Sequence, residues 1–266
     1  MIIDVHGHLG NINQAPFWAA DAKKLEEYCD KAGVDFLCVS SSRSLMYDVH
    51  EGNVEVAAAL ETSRKLLGYV VVNPVFPETR KDMGLLAKSD KFIGVKVHPD
   101  YHGYDMASRK VIEFMDEVAE NVGLMLFHVS CMPGTGFADA VRVARFAERH
   151  PKTNIIMAHI AGIFQNGIYP YFPNLQGLEE VSAMGLKNVF VDTAHHLMYV
   201  YPGVMEKVVE LAGVDQLVFG TDAPLQGPAQ MRFAIETINA LDIPEADKQK
   251  ILCGNALSLI KKEALV

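Results

Sequence analysis

The chain has 266 residues, half of them hydrophobic and 21% charged, an ordinary composition for a folded globular protein. Its formal net charge of -9 excludes nucleic acid and an anionic membrane surface as principal partners. The four cysteines, Cys29, Cys38, Cys131 and Cys253, contain no C-x-x-C pair and fit no disulfide framework or zinc knuckle.

Reduced thiols in a cytoplasmic protein are therefore expected. No basic segment followed by an apolar one marks a signal peptide, and no apolar run nears the ~20 residues that span a bilayer. In chain order, short runs rich in β-branched and apolar residues recur about every 30 residues. They predict strands over Ile2–His6, Phe36–Ser40, Gly68–Asn73, Ile93–His98, Leu124–Val129, Asn154–His159, Val189–Asp192 and Leu217–Thr221. Most are apolar at consecutive positions, the pattern of strands buried on both faces in a parallel sheet.

Helical patterns lie between them. Asp21–Lys31 carries Leu25 and Tyr28 on one face and is followed by Gly33, a natural terminator. Asn53 is placed to cap Val54–Leu67. Val111, Phe114, Met115 and Val118 make one stripe of Ser108–Asn121, and Ala140, Val141, Ala144 and Ala147 one of Phe137–His150. Further helices fit Leu175–Met184, Gly203–Ala212, Ala229–Leu241, Pro244–Leu252 and Ala256–Leu265. Eight strands alternating with helices predict an α/β fold, a single (β/α)8 TIM barrel over residues 1–266. A doubly wound sheet is the alternative, and no glycine-rich turn follows the first strand to favour it. Gly162–Pro173, rich in aromatics, Gly and Pro, is the expected lid or pocket wall.

The strand ends carry the chemistry. Barrel active sites sit at the C-terminal face of the strands. Strand 1 ends in His6-Gly7-His8, and residues two apart on a strand share a face, so both rings can reach one divalent ion. Strand 4 ends in Lys96-Val97-His98, strand 5 in His128, strand 6 in His159, strand 7 in Asp192-Thr193 and strand 8 in Thr221-Asp222. Neutral imidazoles and a carboxylate hold a divalent ion and leave a position for water, whose pKa the ion lowers toward ~7.

The pattern D-x-H-x-H on strand 1, G-V-K-V-H-P on strand 4, His on strands 5 and 6 and G-T-D-A-P on strand 8 resembles the amidohydrolase superfamily. Within it, the chain is most similar to the amidohydrolase-related branch, which includes small-acid hydrolases and non-oxidative decarboxylases. The resemblance runs from residue 2 to about residue 257 and ends at Gly254-Asn255-Ala256. It implies His6, His8, His128 and Asp222 as metal ligands, and as catalytic residues Asp222, which activates the water, and His159, which faces the substrate as acid, base or electrostatic stabiliser. It implies a divalent ion, zinc before manganese or iron, with one ion favoured over two. Lys96 is a carbamylated bridge between two ions, a cation that repels the metal or grips a substrate carboxylate, or a lysine buried against Asp192 or Asp222. A homodimer is the assembly that the resemblance implies.

The expected function is a metal-dependent hydrolase that attacks a small, anionic substrate with metal-activated water; the alternative is a non-oxidative decarboxylase of a small carboxylic acid on the same scaffold. Arg43, in Ser40-Ser41-Ser42-Arg43-Ser44, is a candidate for an anionic substrate group, since a guanidinium matches a carboxylate with two hydrogen bonds. His98 shares the face of Lys96 and is a candidate pocket residue, as is one of His195 and His196. Asp4 is expected to brace its surroundings rather than react. A barrel that has lost catalysis would show broken motifs, and no P-loop or dinucleotide fingerprint supports a nucleotide enzyme.

Overall fold

The computed structural model describes residues 1–10, 20–129, 137–162, 164–165, 173–194, 203–225 and 227–265. Eight strands run through them: β1 Ile3–Leu9, β2 Phe36–Ser41, β3 Leu66–Val71, β4 Phe92–Val97, β5 Leu124–Phe127, β6 Asn154–Met157, β7 Val189–Asp192 and β8 Leu217–Val218. Each pairs in parallel with the next in chain order. The sheet closes where the chain after β8 returns to β1. There Val5 N donates to Phe219 O, Asp222 N to His6 O and His8 N to Ala223 O, at 2.6 to 2.9 Å. The TIM barrel expected from the sequence is the fold observed. A two-stranded ribbon, Phe164–Gln165 with Pro173–Asn174, lies outside the barrel sheet. The remainder of the expected lid, and His195 and His196, lie outside the described residues.

The helices are α1 Ala22–Ala32, α2 Ser42–Met46, α3 Val49–Thr62, α4 Pro99–His102, α5 Arg109–Glu120, α6 Ala140–Arg149, α7 Gln176–Ala183, α8 Val204–Ala212 and α9 Pro228–Asn239. Asp21 caps α1 by accepting from Lys24 N, and Gly33 ends it in the left-handed conformation. The helix expected at Val54–Leu67 instead starts at Val49 and ends at Thr62, capped by Asp48. Asn53 is no cap. Its buried amide accepts from Val71 N and donates to Val71 O and Asp82 Oδ2, tying α3 to β3. Leu66 and Leu67, read as helical, belong to β3, because burial against the sheet overrides their helix propensity. Between β3 and β4 the crossover is a 3-10 segment, Pro77–Ala87, which periodicity did not reveal. The chain's last helical turns begin at Glu245 and change to π geometry over Lys250–Gly254. Among the described residues, no helix is long and apolar enough to cross a membrane.

Two cores follow from the alternation of side chains along the strands. Outward residues such as Leu37, Val39, Val70, Val95, Val97, Met125, Phe127 and Val191 pack under the helices. Inward residues Ile3, Val5, Cys38, Leu67, Tyr69, Leu124, Leu126, Ile156, Phe190 and Val218 fill the barrel, and Cys253, Ala256 and Ile260 join them from the chain's end. Continued by two residues, the same inward parity reaches Ser40, His128, Asp192 and Gly220. The barrel is thus apolar below and polar on top. β1 reaches this layer by a bulge. Asp4 pairs with Leu37 but Gly7 with Val39, three steps against two. The slip lets Val5 point inward and His6 and His8 point inward after it, which strict alternation would forbid.

Gly94, on the inner face of β4, has no room for a side chain: a Cβ there would lie 2.5 Å from Leu124 O on β5. Gly94→Ala is expected to cost about 1–3 kcal/mol of stability in urea unfolding, the range for overpacking a core. An unchanged transition would show that β4 and β5 part freely.

Candidate metal centre

The polar layer converges on Asp222. Its Oδ1 is 2.8 Å from His8 Nε2 and 3.6 Å from His6 Nε2, and its Oδ2 is 3.6 Å from His159 Nε2. All four residues are buried. The His6 and His159 rings stack with centroids 5.3 Å apart, and His6 meets His8 edge-on at 5.4 Å. His6, His159 and Asp222 each offer a ligand atom, and the three atoms lie within 4.8 Å of one another.

Each side chain is aimed by its local backbone. Asp222 has φ 63, and His159, Ile160 and Ala161 have φ 60, 53 and 53. A left-handed conformation costs a non-glycine residue about 1–2 kcal/mol, so tertiary contacts must hold these turns. For His159 the contact is its N–H, which donates to Asp192 Oδ1 at 2.8 Å. For Asp222 it is its N–H on His6 O and the neighbouring Thr221, whose N–H and hydroxyl both donate to Asp4. Asp4 Oδ1 also accepts from His6 N. Asp4 therefore fastens β1 to the β8 turn, the bracing role expected of it. Gly220 leaves tight room beside them: a Cβ there would stand 3.2 Å from the Cβ atoms of both His6 and Asp192.

The remaining sequence candidates fall in three places. Lys96 is buried within the cluster, its Nζ 3.2 Å from His6 Nε2. His98 and His128 form a wall: their rings stack at 3.7 Å, Tyr101 stacks on the far side of His98 at 4.0 Å, and His128 meets His159 edge-on at 4.9 Å. His128 Nε2 is 3.1 Å from Asp100 Oδ2, which leaves only Nδ1 to face an ion. Arg43 stands apart on α2, half-exposed, with its guanidinium 3.7 Å from Glu51. Two partners escaped sequence reasoning. Ser40, whose hydroxyl lies 3.2 Å from His8 Nδ1, was discoverable as a polar strand end. Asp100 follows Pro99, and only α4 brings it to His128.

Burial dominates the electrostatics. It pulls the Lys96 ammonium down to about 8, against the attraction of Asp222 and Asp192. It pushes the Asp192 carboxyl up, opposed by His159 and Lys96. His98 is held well below the usual imidazole range by burial, then by His128 and Lys96, and His128 is lowered by burial. Asp4 is pushed up to about 7 by burial, which outweighs its hydrogen bonds from Thr221 and His6.

The donor set fits a divalent ion. Two donors each about 2.1 Å from a tetrahedral ion stand about 3.4 Å apart, close to the 3.6 Å from Asp222 Oδ1 to His6 Nε2. His8 Nε2 and Asp222 Oδ1, 2.8 Å apart, would have to move apart slightly to share an ion.

The sequence profile of the amidohydrolase family matches residues 3–261. No curated protein matches the chain in sequence. Several solved structures share its fold. A dihydroxybenzoic acid decarboxylase from a Polaromonas species, solved with manganese and 2-nitroresorcinol, is 15% identical at TM-score 0.66, with 97% of this chain and 96% of that chain covered. A 5-carboxyvanillate decarboxylase from Novosphingobium aromaticivorans, complexed with manganese and 4-hydroxy-3-methoxy-5-nitrobenzoic acid, is 13% identical at TM-score 0.71, covering 97% and 95%. An uncharacterised TIM-barrel protein from Bordetella bronchiseptica is 15% identical at TM-score 0.69, covering 97% of each. Identities this low establish the common fold alone.

The raised Asp4 carboxyl has a consequence for stability. Its folded pKa of about 7 lies above its ordinary value of 3.8, so the folded state binds the extra proton between them. Stability contributed by that proton is present below the lower value and lost as pH rises through the upper one. Asp4→Asn, which keeps a neutral group on Thr221, is expected to flatten the fall in unfolding free energy from pH 4.5 to 7. An identical pH profile in the variant would show that Asp4 is ionised in the fold.

Proposed function

The chain belongs to the amidohydrolase family, and from that premise we propose that it is a metal-dependent enzyme that non-oxidatively decarboxylates a small carboxylic acid. The observation that carries this reading is a cation beside the ligand atoms: Lys96 Nζ lies 3.2 Å from His6 Nε2 in a buried cluster of imidazoles. A substrate carboxylate entering there finds an anchor at Lys96 next to the ion site. The two decarboxylases of similar fold, both solved with manganese, support the same reaction class. The hydrolase expected from the sequence is the second reading, supported by the family match itself.

His6 Nε2, His8 Nε2 and Asp222 Oδ1 are the proposed holding set, with one ion, and manganese is the metal to try before zinc. His128, expected as a further ligand, would contribute only through Nδ1. An ion held there supplies positive charge that polarises substrate oxygens and draws off electron density as the carboxylate leaves. Lys96 orients the carboxylate. The carbon–carbon bond breaks, its electron pair stays on the substrate carbon, and carbon dioxide departs. His159 Nε2, which faces Asp222 Oδ2 rather than Oδ1, delivers the replacing proton. Asp222 stabilises the protonated ring before the transfer. The stacked His128, His98 and Tyr101 offer a flat wall against which a planar acid would lie.

The manganese-loaded enzyme, given a panel of hydroxylated benzoic acids in water enriched in oxygen-18, should release carbon dioxide and leave no label in the organic product. Label in the product with no carbon dioxide would establish the hydrolase instead. His159→Asn is expected to keep about one equivalent of metal and lose at least 100-fold in turnover, within the usual range for removing a general acid. Asp222→Asn is expected to lose both metal and turnover. Loss of metal in His159→Asn would make His159 a ligand.

A further inference from the structure

Asp192 ends β7 fully buried, and its two oxygens do different things. Oδ2 is 2.7 Å from His6 Nδ1. Oδ1 accepts from His159 N at 2.8 Å and from Ala194 N at 3.0 Å. One carboxylate therefore touches the ring of one cluster residue and builds the turn that presents another. The next residue extends the tie: Thr193 Oγ1 donates to Gly220 O and accepts from Gly220 N, while Thr193 N donates to Val218 O. Through this dipeptide β7 holds β6, β8 and β1 at the height of the cluster.

We infer that Asp192 is a positioning residue that selects the metal-binding tautomer of His6 and, through its other oxygen, holds His159 in place. An ionised carboxylate only accepts, so Nδ1 must carry the ring proton and Nε2 must offer its lone pair. Nε2 is the atom that faces Asp222. A second contact agrees: Lys96 Nζ lies 3.2 Å from the same Nε2, and an ammonium has donors alone, so Nε2 accepts there too. With the opposite tautomer the Asp192 contact would set lone pair against lone pair, and the Lys96 contact hydrogen against hydrogen. Oriented imidazole–carboxylate pairs of this kind strengthen a ligand and fix its ring, and losing the outer partner weakens metal binding 10- to 100-fold.

The two oxygens can be separated. In Asp192→Asn the amide oxygen can still accept from His159 N and Ala194 N, so the turn stays. The amide NH2 then faces His6 Nδ1 and donates, which moves the ring proton to Nε2. Asp192→Ala removes both functions. This inference rests on the metal reading proposed above only for its second readout.

The first readout is the tautomer of His6 in metal-free protein labelled with 15N-histidine, its signals assigned by their loss in His6→Gln. Wild type should show a protonated Nδ1 and a bare Nε2, and Asp192→Asn the reverse with an unchanged near-ultraviolet circular dichroism spectrum. The second is the dissociation constant for manganese, measured against a chromogenic chelator. It should rise 10- to 100-fold in Asp192→Asn. A protonated Nε2 in wild type overturns the inference, and so does manganese affinity in folded Asp192→Asn within twofold of wild type. If wild type takes up no manganese or zinc, the proposed function fails by itself, and the tautomer of the wild-type ring still decides the role of Asp192.

Discussion

Everything at the mouth of this barrel depends on how the sheet closes. The eighth strand is two residues long, too short for a ladder against β1. Closure is made instead by backbone bonds from Val5, His8 and Asp222, reinforced by the Asp4 carboxylate across His6 and Thr221. That seam carries the candidate site: His6 and His8 stand on one side of it and Asp222 on the other. Binding an ion there would bridge the seam from above, so the polar layer and the closure of the fold support each other.

The site is a concentration of charge in a buried layer. Asp4, Asp192, Asp222 and Lys96 are all buried. Isolated, each would cost several kcal/mol, which is why each one is engaged by hydrogen bonds or opposite charge. Asp192 accepts three hydrogen bonds, from His6, His159 and Ala194, and Asp4 accepts from two N–H groups and a hydroxyl. The strained left-handed turns at Asp222 and His159 persist in this setting because the surrounding bonds over-determine them, a pattern that concentrates at functional sites.

The reaction is decided further out. A shared barrel and a shared ligand set serve more than one chemistry, and what distinguishes them lies in the loops above the strands. Here α4, which follows β4, contributes Tyr101 to the ring stack and Asp100 to His128. The β6 loop contributes the left-handed turn of His159. The proposed removal of a carboxylate asks for a cationic pocket partner and a proton source near the leaving carbon. Lys96 and His159 meet those needs side by side with the ligands.

Much of this was legible in the residues. Continuous apolar runs about 30 residues apart specify buried parallel strands, and a polar residue ending each specifies which end is chemical, because hydrophobic pattern and strand period are local properties. His6, His8, Lys96, His128, His159 and Asp222 were all visible this way, and so was the family motif. The sequence could not show the bulge in β1, because a one-residue slip in register is set by the partner strand and leaves no mark on composition. Nor could it show that Asn53 sits mid-helix to bind β3, or that the strand after it begins at Leu66. The hydrogen bonds of Asp192 to His6, 186 residues away, and of Asp100 to His128 exist only once the barrel has closed. The sequence alone determined the kind of fold and the inventory of reactive side chains. The tertiary structure alone decided which nitrogen each imidazole presents and to what, since that depends on contacts between strands far apart in the chain.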